Sequence, residues 1–267
     1  MSRTSAIAGP AVGIAVAGKG IKGAPVDLSA GQCEADRARL LTPSPATPDA
    51  VASVVDTVLE LLCTNGPVGI TLPAVLRDGV VETAWNGTSD ADPRWIGVPA
   101  VDLFARATGR VVEVVNEADA AGIAEMRYGA GKDRSGVVVV ITLDTGIGSA
   151  VFLDGRLVPN TELGHMPPHQ GWSRESLDDE PSWNHYADQL QHYLELVEGV
   201  LWPRLIILGG SVSKHADRFL PRLHLRTEIV PARLGQDAGL VGAALTATGG
   251  RVPIPRANLD TSTVDYD

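Results

Sequence analysis

Two apolar runs, each turning back on itself across glycines and each followed by alternating strand and helix signals, constrain this chain more than any other feature. The first is Ala11–Val16 with Ile21–Leu28, joined through Ala17-Gly18-Lys19-Gly20; the second is Gly136–Leu143 with Ile147–Leu153, joined through Asp144-Thr145-Gly146. Short apolar segments broken by glycine predict hairpins. After the first pair, Ala35–Leu41 reads as a third strand. Thr47-Pro48-Asp49 then supplies a cap, a proline for the first helical position and an acid for the first turn. Val51, Val54, Val55, Val58, Leu61 and Leu62 follow at helical spacing. Val68–Leu72 predicts a buried strand, Val98–Thr108 a helix, Val111–Val115 a strand, and Asn116 opens a helix to about Tyr128. After the second pair, Ser182 reads as the cap of a helix through Leu201. Leu205–Leu208 and Ile229–Val230 read as strands and Ala238–Ala247 as a small-residue helix. Trp85–Arg94 and Pro167–Pro181 read as irregular. A meander followed by strand–helix alternation, given twice, predicts a two-lobed α/β architecture with a ligand cleft between the lobes. Residues 1–115 are expected in a small lobe and 116–235 in a large one. Residues 236–250 should return to the first, and 251–267 should form a flexible tail.

Charge and cysteine usage narrow the class. The formal net charge is −10, which weighs against a nucleic-acid partner but leaves room for a local basic pocket for a small anion. Cys33 and Cys63 have no CxxC spacing and are expected as reduced thiols. Met1–Pro10 lacks the basic and apolar pattern of a signal peptide, and no run approaches the roughly 18 apolar residues of a membrane span. A cytoplasmic protein with no membrane partner is expected. No metal site is read from the residues.

Five segments could carry chemistry. Gly13–Gly23 is a glycine-rich turn between strands whose backbone N–H groups could cradle an anion, with Gly18, Lys19 and Gly20 at its tip, or it is an ordinary hairpin. Leu143–Ser149, with Asp144, Thr145, Gly146 and Gly148, offers the same alternatives. Two such turns, one per half, make a shared phosphate site more credible than either alone. Asn116-Glu117-Ala118-Asp119 places carboxylates at a strand-to-helix junction, as catalytic groups or as complements to the helix dipole. Glu162 and His165, three apart, could converge on sugar hydroxyls or be an inconsequential loop pair. Leu208-Gly209-Gly210-Ser211 ends a strand where an anion or nucleotide could sit, or makes a tight connection.

Taken in order, these segments resemble the polyphosphate glucokinase branch of the ROK sugar kinases. The resemblance runs from about Val12 to Leu245 and is most specific at Asn116–Lys132, Ile141–His165, Leu208–Pro221 and Gln236–Leu245. It implies the two-lobed actin-like ATPase fold of the ROK/hexokinase type. It also implies phosphoryl transfer from ATP or polyphosphate to the glucose 6-hydroxyl, with magnesium and a carboxylate base. By position, Glu117 stands where the family has its catalytic aspartate, and Glu162 and His165 stand at sugar-contacting positions. Thr145, Gly146 and Gly148 fall in the second phosphate loop. Several positions depart from the family pattern. Ala15 replaces an aspartate and so cannot help position magnesium, Ala17 a glycine, Lys19 a serine, and Asp144 the first glycine of the second loop. Ala74 replaces the glycine after Pro73, the loop before Trp95-Ile96-Gly97 looks lengthened, and the segment after His165 is short and begins Met166-Pro167-Pro168.

From these departures the expected function is a diverged family member. Efficient glucose phosphorylation would be lost and the cleft reused to bind or transform another polar, sugar-like metabolite. In that role it would use Glu117, Asp119, Asp144, Glu162, His165 and Lys19. One alternative is a working polyphosphate- or ATP-dependent glucokinase with Glu117 as base and magnesium as cofactor. The other is a non-catalytic partner of an intact paralogue. A homodimer is the expected assembly.

Overall fold

Thirteen strands and six α-helices account for the residues described by the computed structural model, 10–84, 92–144, 146–166 and 180–249. In chain order these are β1 (Ala11–Ala17), β2 (Gly20–Asp27), β3 (Gln32–Cys33), β4 (Ala38–Leu40), α1 (Pro48–Leu61), β5 (Val68–Leu72), β6 (Leu76–Arg77), β7 (Val80–Val81), α2 (Ala100–Thr108) and β8 (Val112–Asn116). There follow α3 (Glu117–Tyr128), β9 (Val137–Leu143), β10 (Ile147–Leu153), β11 (Arg156–Val158), α4 (Glu180–Leu201), β12 (Leu205–Gly209), α5 (Ala216–Phe219), β13 (Glu228–Pro231) and α6 (Ala238–Ala247).

The repeated sequence unit becomes a repeated topology. One sheet runs β3-β2-β1-β5-β8, with β4 also on β2, and the other runs β11-β10-β9-β12-β13. In both, the first strand pairs antiparallel with its hairpin partner and parallel with the strand that follows the crossover. A strand covered on both faces reads as a near-continuous apolar run. All five residues of β5 and of β12 are accordingly buried. Against the first sheet α1 lays Val51, Val55, Val58 and Leu59, and Thr47 caps it through Ala50 N at 3.2 Å. Against the second, α4 lays Tyr186, Leu190, Tyr193, Leu194 and Val197.

Between the sheets α6 packs on β1 and β5 and crosses α3. Backbones meet there with no room for side chains. A Cβ on Gly242 would lie 1.8 Å from the Ala120 carbonyl oxygen, and one on Gly69 would lie 1.8 Å from that of Ala243. This crossing fixes the first turn of α3, and with it Glu117 and Asp119.

Four boundaries differ from expectation, each for a physical reason. The third strand shrinks from Ala35–Leu41 to β4, because Arg37 leaves the ladder to hold Asp237 through two hydrogen bonds of 2.7 and 2.8 Å. The second helix starts at Ala100 rather than Val98, since Pro99 keeps the preceding residue out of the helical region. Ser182 lies inside α4 rather than capping it; Glu180-Pro181 open that helix, where proline is tolerated. Part of the loop expected at Trp85–Arg94 is a single 3-10 turn, Pro93–Trp95, whose buried Trp95 donates to Ala46 O at 2.9 Å. Residues 1–9, 85–91, Thr145, most of Pro167–Pro181 and 250–267, which include the expected tail 251–267, lie outside the described residues. No helix among the described residues is long and apolar enough to cross a membrane.

Candidate active site

The site is assembled around the first turn of α3. Asn116 ends β8 and caps the helix, its Oδ1 accepting from Ala118 N at 2.8 Å and Asp119 N at 3.2 Å. Its Nδ2 donates to Ala74 O at 3.0 Å, so the same side chain ties the helix start to the strand end after β5. The cap and the site are therefore one device, with Asn116 holding the turn that presents the acids.

Glu117 is half-buried, and its carboxylate has no hydrogen-bond donor among the described residues. Burial, and then the Asp144 carboxylate, push its pKa up to about 7, while the Lys22 ammonium pulls the other way. A carboxyl group poised at that value can hold or release a proton near neutrality, as a general base requires.

Asp119 is 2% exposed. Its Oδ2 accepts from Asn160 N at 3.0 Å, and its Oδ1 is buried with no hydrogen-bond partner. Burial raises its pKa to about 6, against the hydrogen bond from Asn160 and with the Glu162 charge. Asn160 has φ 58°, a left-handed conformation that asparagine tolerates. Its side chain accepts from Leu76 N at 3.0 Å and donates to Leu76 O at 2.7 Å. This one residue thus joins the loop after β11 to β6. Asp119 sits behind that loop and positions it; it does not front the site.

The same loop carries Glu162 and His165. Buried Ser149 on β10 anchors it, donating to Thr161 O and accepting from Leu163 N at 2.9 Å. A Cβ on Gly164 would lie 2.0 Å from Ile147 O, so the turn Leu163–His165 is pressed onto the start of β10. Glu162 and His165 are both open to solvent, with His165 Nε2 3.9 Å from Glu162 Oε2. At that separation they form no tight mutual pair, and both side chains stay open to solvent.

Of the glycine-rich turns, the first is a two-residue connection, Gly18-Lys19, with Lys19 exposed and without a partner among the described residues. Ala15 is buried on β1 beside Ala24 and Leu240, and Gly20 starts β2 beneath the Arg39 side chain. In the second turn, Asp144 Oδ1 accepts from Ser211 N at 2.9 Å, which ties this turn to the third loop. Gly210, φ 79°, comes so close to Leu143 that a Cβ would lie 2.5 Å from its backbone nitrogen; Gly209 ends β12 beside it. Gly148 faces Thr142 and Ala118, while Gly146 has open space around it. Glu117, Asp144 and the Gly209-Gly210-Ser211 loop are therefore neighbours, Asp119 and Glu162 adjoin them, and among the described residues Lys19 makes no hydrogen bond or ion pair with the group.

The matching family model is that of the ROK family, over residues 11–179. This chain belongs to the ROK family. A polyphosphate glucokinase from Mycobacterium tuberculosis (strain CDC 1551 / Oshkosh) is 46% identical over 242 residues, 88% of this chain and 90% of that one. One from Mycobacterium leprae (strain TN) is 44% identical over 243 residues, 88% and 74%. Among solved structures, the inorganic polyphosphate/ATP-glucomannokinase of Arthrobacter sp. strain KM superposes with TM-score 0.80 at 44% identity, covering 90% of this chain and 98% of that one. A ROK family glucokinase from Streptomyces griseus, solved with glucose and AMPPNP, shares the fold at TM-score 0.73 and 21% identity, covering 90% and 99%. The expected actin-like ATPase fold and family stand.

Lys22 and Asn160 were not singled out from the sequence as site residues. Asn160 lies in Pro159-Asn160-Thr161, where only a left-handed backbone position hints at a turn. Lys22 lies within the first glycine-rich segment, where Lys19 at the tip drew the attention.

Proposed function

We propose that this chain transfers a phosphoryl group from polyphosphate or ATP to a hydroxyl of glucose, with Glu117 as the general base. The observation that carries this reading is the Glu117 carboxyl group, half-buried, free of donors and raised to about 7. It sits on the helix turn shared by the glycine-rich loops and the Glu162–His165 loop. Identity of 46% over 88% of the chain to a polyphosphate glucokinase supports the same substrates. The sugar hydroxyl gives its proton to Glu117, its oxygen bonds to the terminal phosphorus, and the phosphoanhydride bond breaks. The leaving group is a polyphosphate shorter by one phosphate, or ADP. Glu162 and His165 orient the sugar, and the Asp119–Asn160 contact holds their loop.

Among the described residues no group of three or more His, Cys, Asp and Glu could hold a metal ion. Magnesium, however, is commonly held by one or two carboxylates together with the donor's phosphates. Asp144, at the turn beside Ser211 N, fits that role; a magnesium ion there would offset charge on the phosphates and leave Glu117 free to act as the base.

The departures at Ala15, Asp144 and Glu117, a glutamate where the family has an aspartate, point in the sequence to lost phosphorylation and a reused cleft. Relatives matching nearly the whole chain and a first α3 turn still presenting a raised carboxyl favour phosphotransfer instead. One observation favours a second reading, a sugar-binding protein that does not turn over: Asp144 already holds the Ser211 N–H and sets a second negative charge near Glu117. A coupled glucose-6-phosphate assay with glucose, magnesium and either polyphosphate or ATP separates the two. Turnover that Glu117→Gln lowers at least a thousandfold, on the order of 4 kcal/mol, supports phosphotransfer. Glucose binding without product in the wild-type chain refutes it.

A further inference from the structure

Thr71 is the only residue of β5 with a polar side chain, and it is fully buried. Valine would fill the same space and suit a strand as well; what threonine adds is the hydroxyl. Its Oγ1 is buried with no hydrogen-bond partner among the described residues. Buried hydroxyls are as a rule paired, because leaving one unpaired is costly.

The strand register places that hydroxyl. Residues 69 and 71 share a face of β5, and a Cβ on Gly69 would strike Ala243 O of α6, so Thr71 faces the α6 side. On that face it lies between Ala15 on β1 and Val115 on β8. Ala15 ends at its Cβ and Val115 is apolar, so neither neighbour offers a partner. After Val115 the chain passes through Asn116, which is still extended at φ −60° and ψ 145°, to Glu117. Glu117 therefore leaves β8 two residues beyond Val115 on the side where α3 packs against α6 and touches β5. One strand across and two residues along is about 8 Å between Cα atoms, a span that a threonine and a glutamate side chain bridge through one water. Two unmet groups thus stand at the same end of the sheet: a buried hydroxyl with a proton to donate, and the Glu117 carboxylate, which has no donor among the described residues. A bridging water needs polar partners on both sides, and these two supply them.

We propose that Thr71 is a positioning residue for Glu117, its hydroxyl holding the Glu117 carboxylate across one water and so fixing the oxygen that takes the sugar's proton. The proposal deepens the phosphotransfer reading and rests on it for the role of Glu117. Thr71→Val removes the hydroxyl and keeps the shape. In the coupled glucose assay it should lower kcat about tenfold and leave KM for glucose within about twofold. Its melting temperature should equal or exceed that of wild type, since an unpaired hydroxyl is gone. Thr71→Ser, which keeps the hydroxyl, should restore most of kcat. Thr64 supplies a control of the same chemistry: its Oγ1 is also buried without a partner, but it precedes β5 at the strand's other end. Thr64→Val should leave kcat unchanged. Carbon-13 NMR of the glutamate carboxyls in magnesium-free buffer reads the contact without turnover, the Glu117 signal being the one lost in Glu117→Gln. Losing a donor to the charged form should move its titration to higher pH in Thr71→Val, and serine should bring it back. If Thr71→Val does not fold, Thr71→Ala removes the same hydroxyl with less bulk. A Thr71→Val protein with wild-type kcat and wild-type Glu117 titration overturns the proposal and leaves phosphotransfer standing. A fall in kcat that serine does not restore, with a lowered melting temperature, overturns it in favour of a packing role. A shifted Glu117 titration in a chain that never phosphorylates glucose supports the contact while removing the kinase reading.

Discussion

Replacing Gly242 by alanine should separate the two halves of the site without touching it. The added Cβ would sit 1.8 Å from Ala120 O, 2.5 Å from its carbon and 3.0 Å from its Cα. A carbon–oxygen contact settles near 3.3 Å, roughly 1.5 Å further out. Both contacting atoms belong to helix backbones, so no rotamer can relieve the clash; α3 and α6 must part. Overpacking of this kind costs about 1–3 kcal/mol or more, and a chain of this size loses roughly 2–4 °C per kcal/mol. The expected fall in melting temperature is therefore about 2–12 °C for Gly242→Ala. The same helix supplies its own control. Gly239 has nothing within 4 Å of its would-be Cβ, so Gly239→Ala gains helix propensity and should raise the midpoint slightly, by about 0.5–1 kcal/mol. Because Ala120 is one residue beyond Asp119, Gly242→Ala should also displace Glu117. A shift of about 1 Å in a reacting group costs on the order of a hundredfold in rate. Circular dichroism melts and the coupled glucose assay read both effects. A Gly242→Ala protein that melts within 2 °C of wild type, or below which Gly239→Ala falls, would refute the close-crossing argument.

Two further substitutions test buried carboxylates of opposite character. Glu125 is 1% exposed and accepts from Ala130 N, Arg233 N and Leu234 N at 2.8, 2.9 and 2.8 Å. Glu125→Ala strands three backbone donors and should lower stability by about 3–5 kcal/mol in urea titration; a loss under 1 kcal/mol would mean water replaces them. Asp119, raised to about 6, favours the folded state most when protonated. That contribution is complete below its ordinary value of 3.8 and is lost as pH rises through about 6. Asp119→Asn, which keeps an acceptor for Asn160 N, should therefore stabilise the protein at pH 8 by at most about 3 kcal/mol, with the gain vanishing below pH ~4. A gain that persists at low pH would contradict the sign.

Local signals made much of this fold legible. Apolar runs bounded by glycine gave β5 and β10 their observed ends, the Thr47-Pro48-Asp49 signature gave α1 its start, and α6 has the expected limits. The β6–β7 and β10–β11 hairpins went unread although each carries an Asp-Gly turn with both residues at positive φ, Asp78-Gly79 and Asp154-Gly155. The strands left unread, β6, β7 and β11, hold only two or three residues, too few for alternation to register. The acids at the start of α3 were legible because a capped helix start places them by local rules. Their environment was not. Asp119 meets Asn160 41 residues away, and Asn160 meets Leu76 84 residues away; no spacing rule reaches across a lobe. Lys19 attracted notice as a turn-tip charge, whereas the strand register that turns Lys22 inward exists only once β1, β2 and β4 are paired.

The pH dependence of kcat/KM for glucose phosphorylation tests the central claim most directly, because it reports the ionisation of the free protein's essential base. With Glu117 raised to about 7, the rate should climb with pH and reach half its plateau near pH 7. In Asp144→Asn the amide oxygen can still accept from Ser211 N, but the charge that helps hold Glu117 up is gone. The limb should then move to lower pH. A limb that stays in the ordinary carboxylate range near 4.5, or one indifferent to Asp144→Asn, would contradict the assignment of Glu117 as the base.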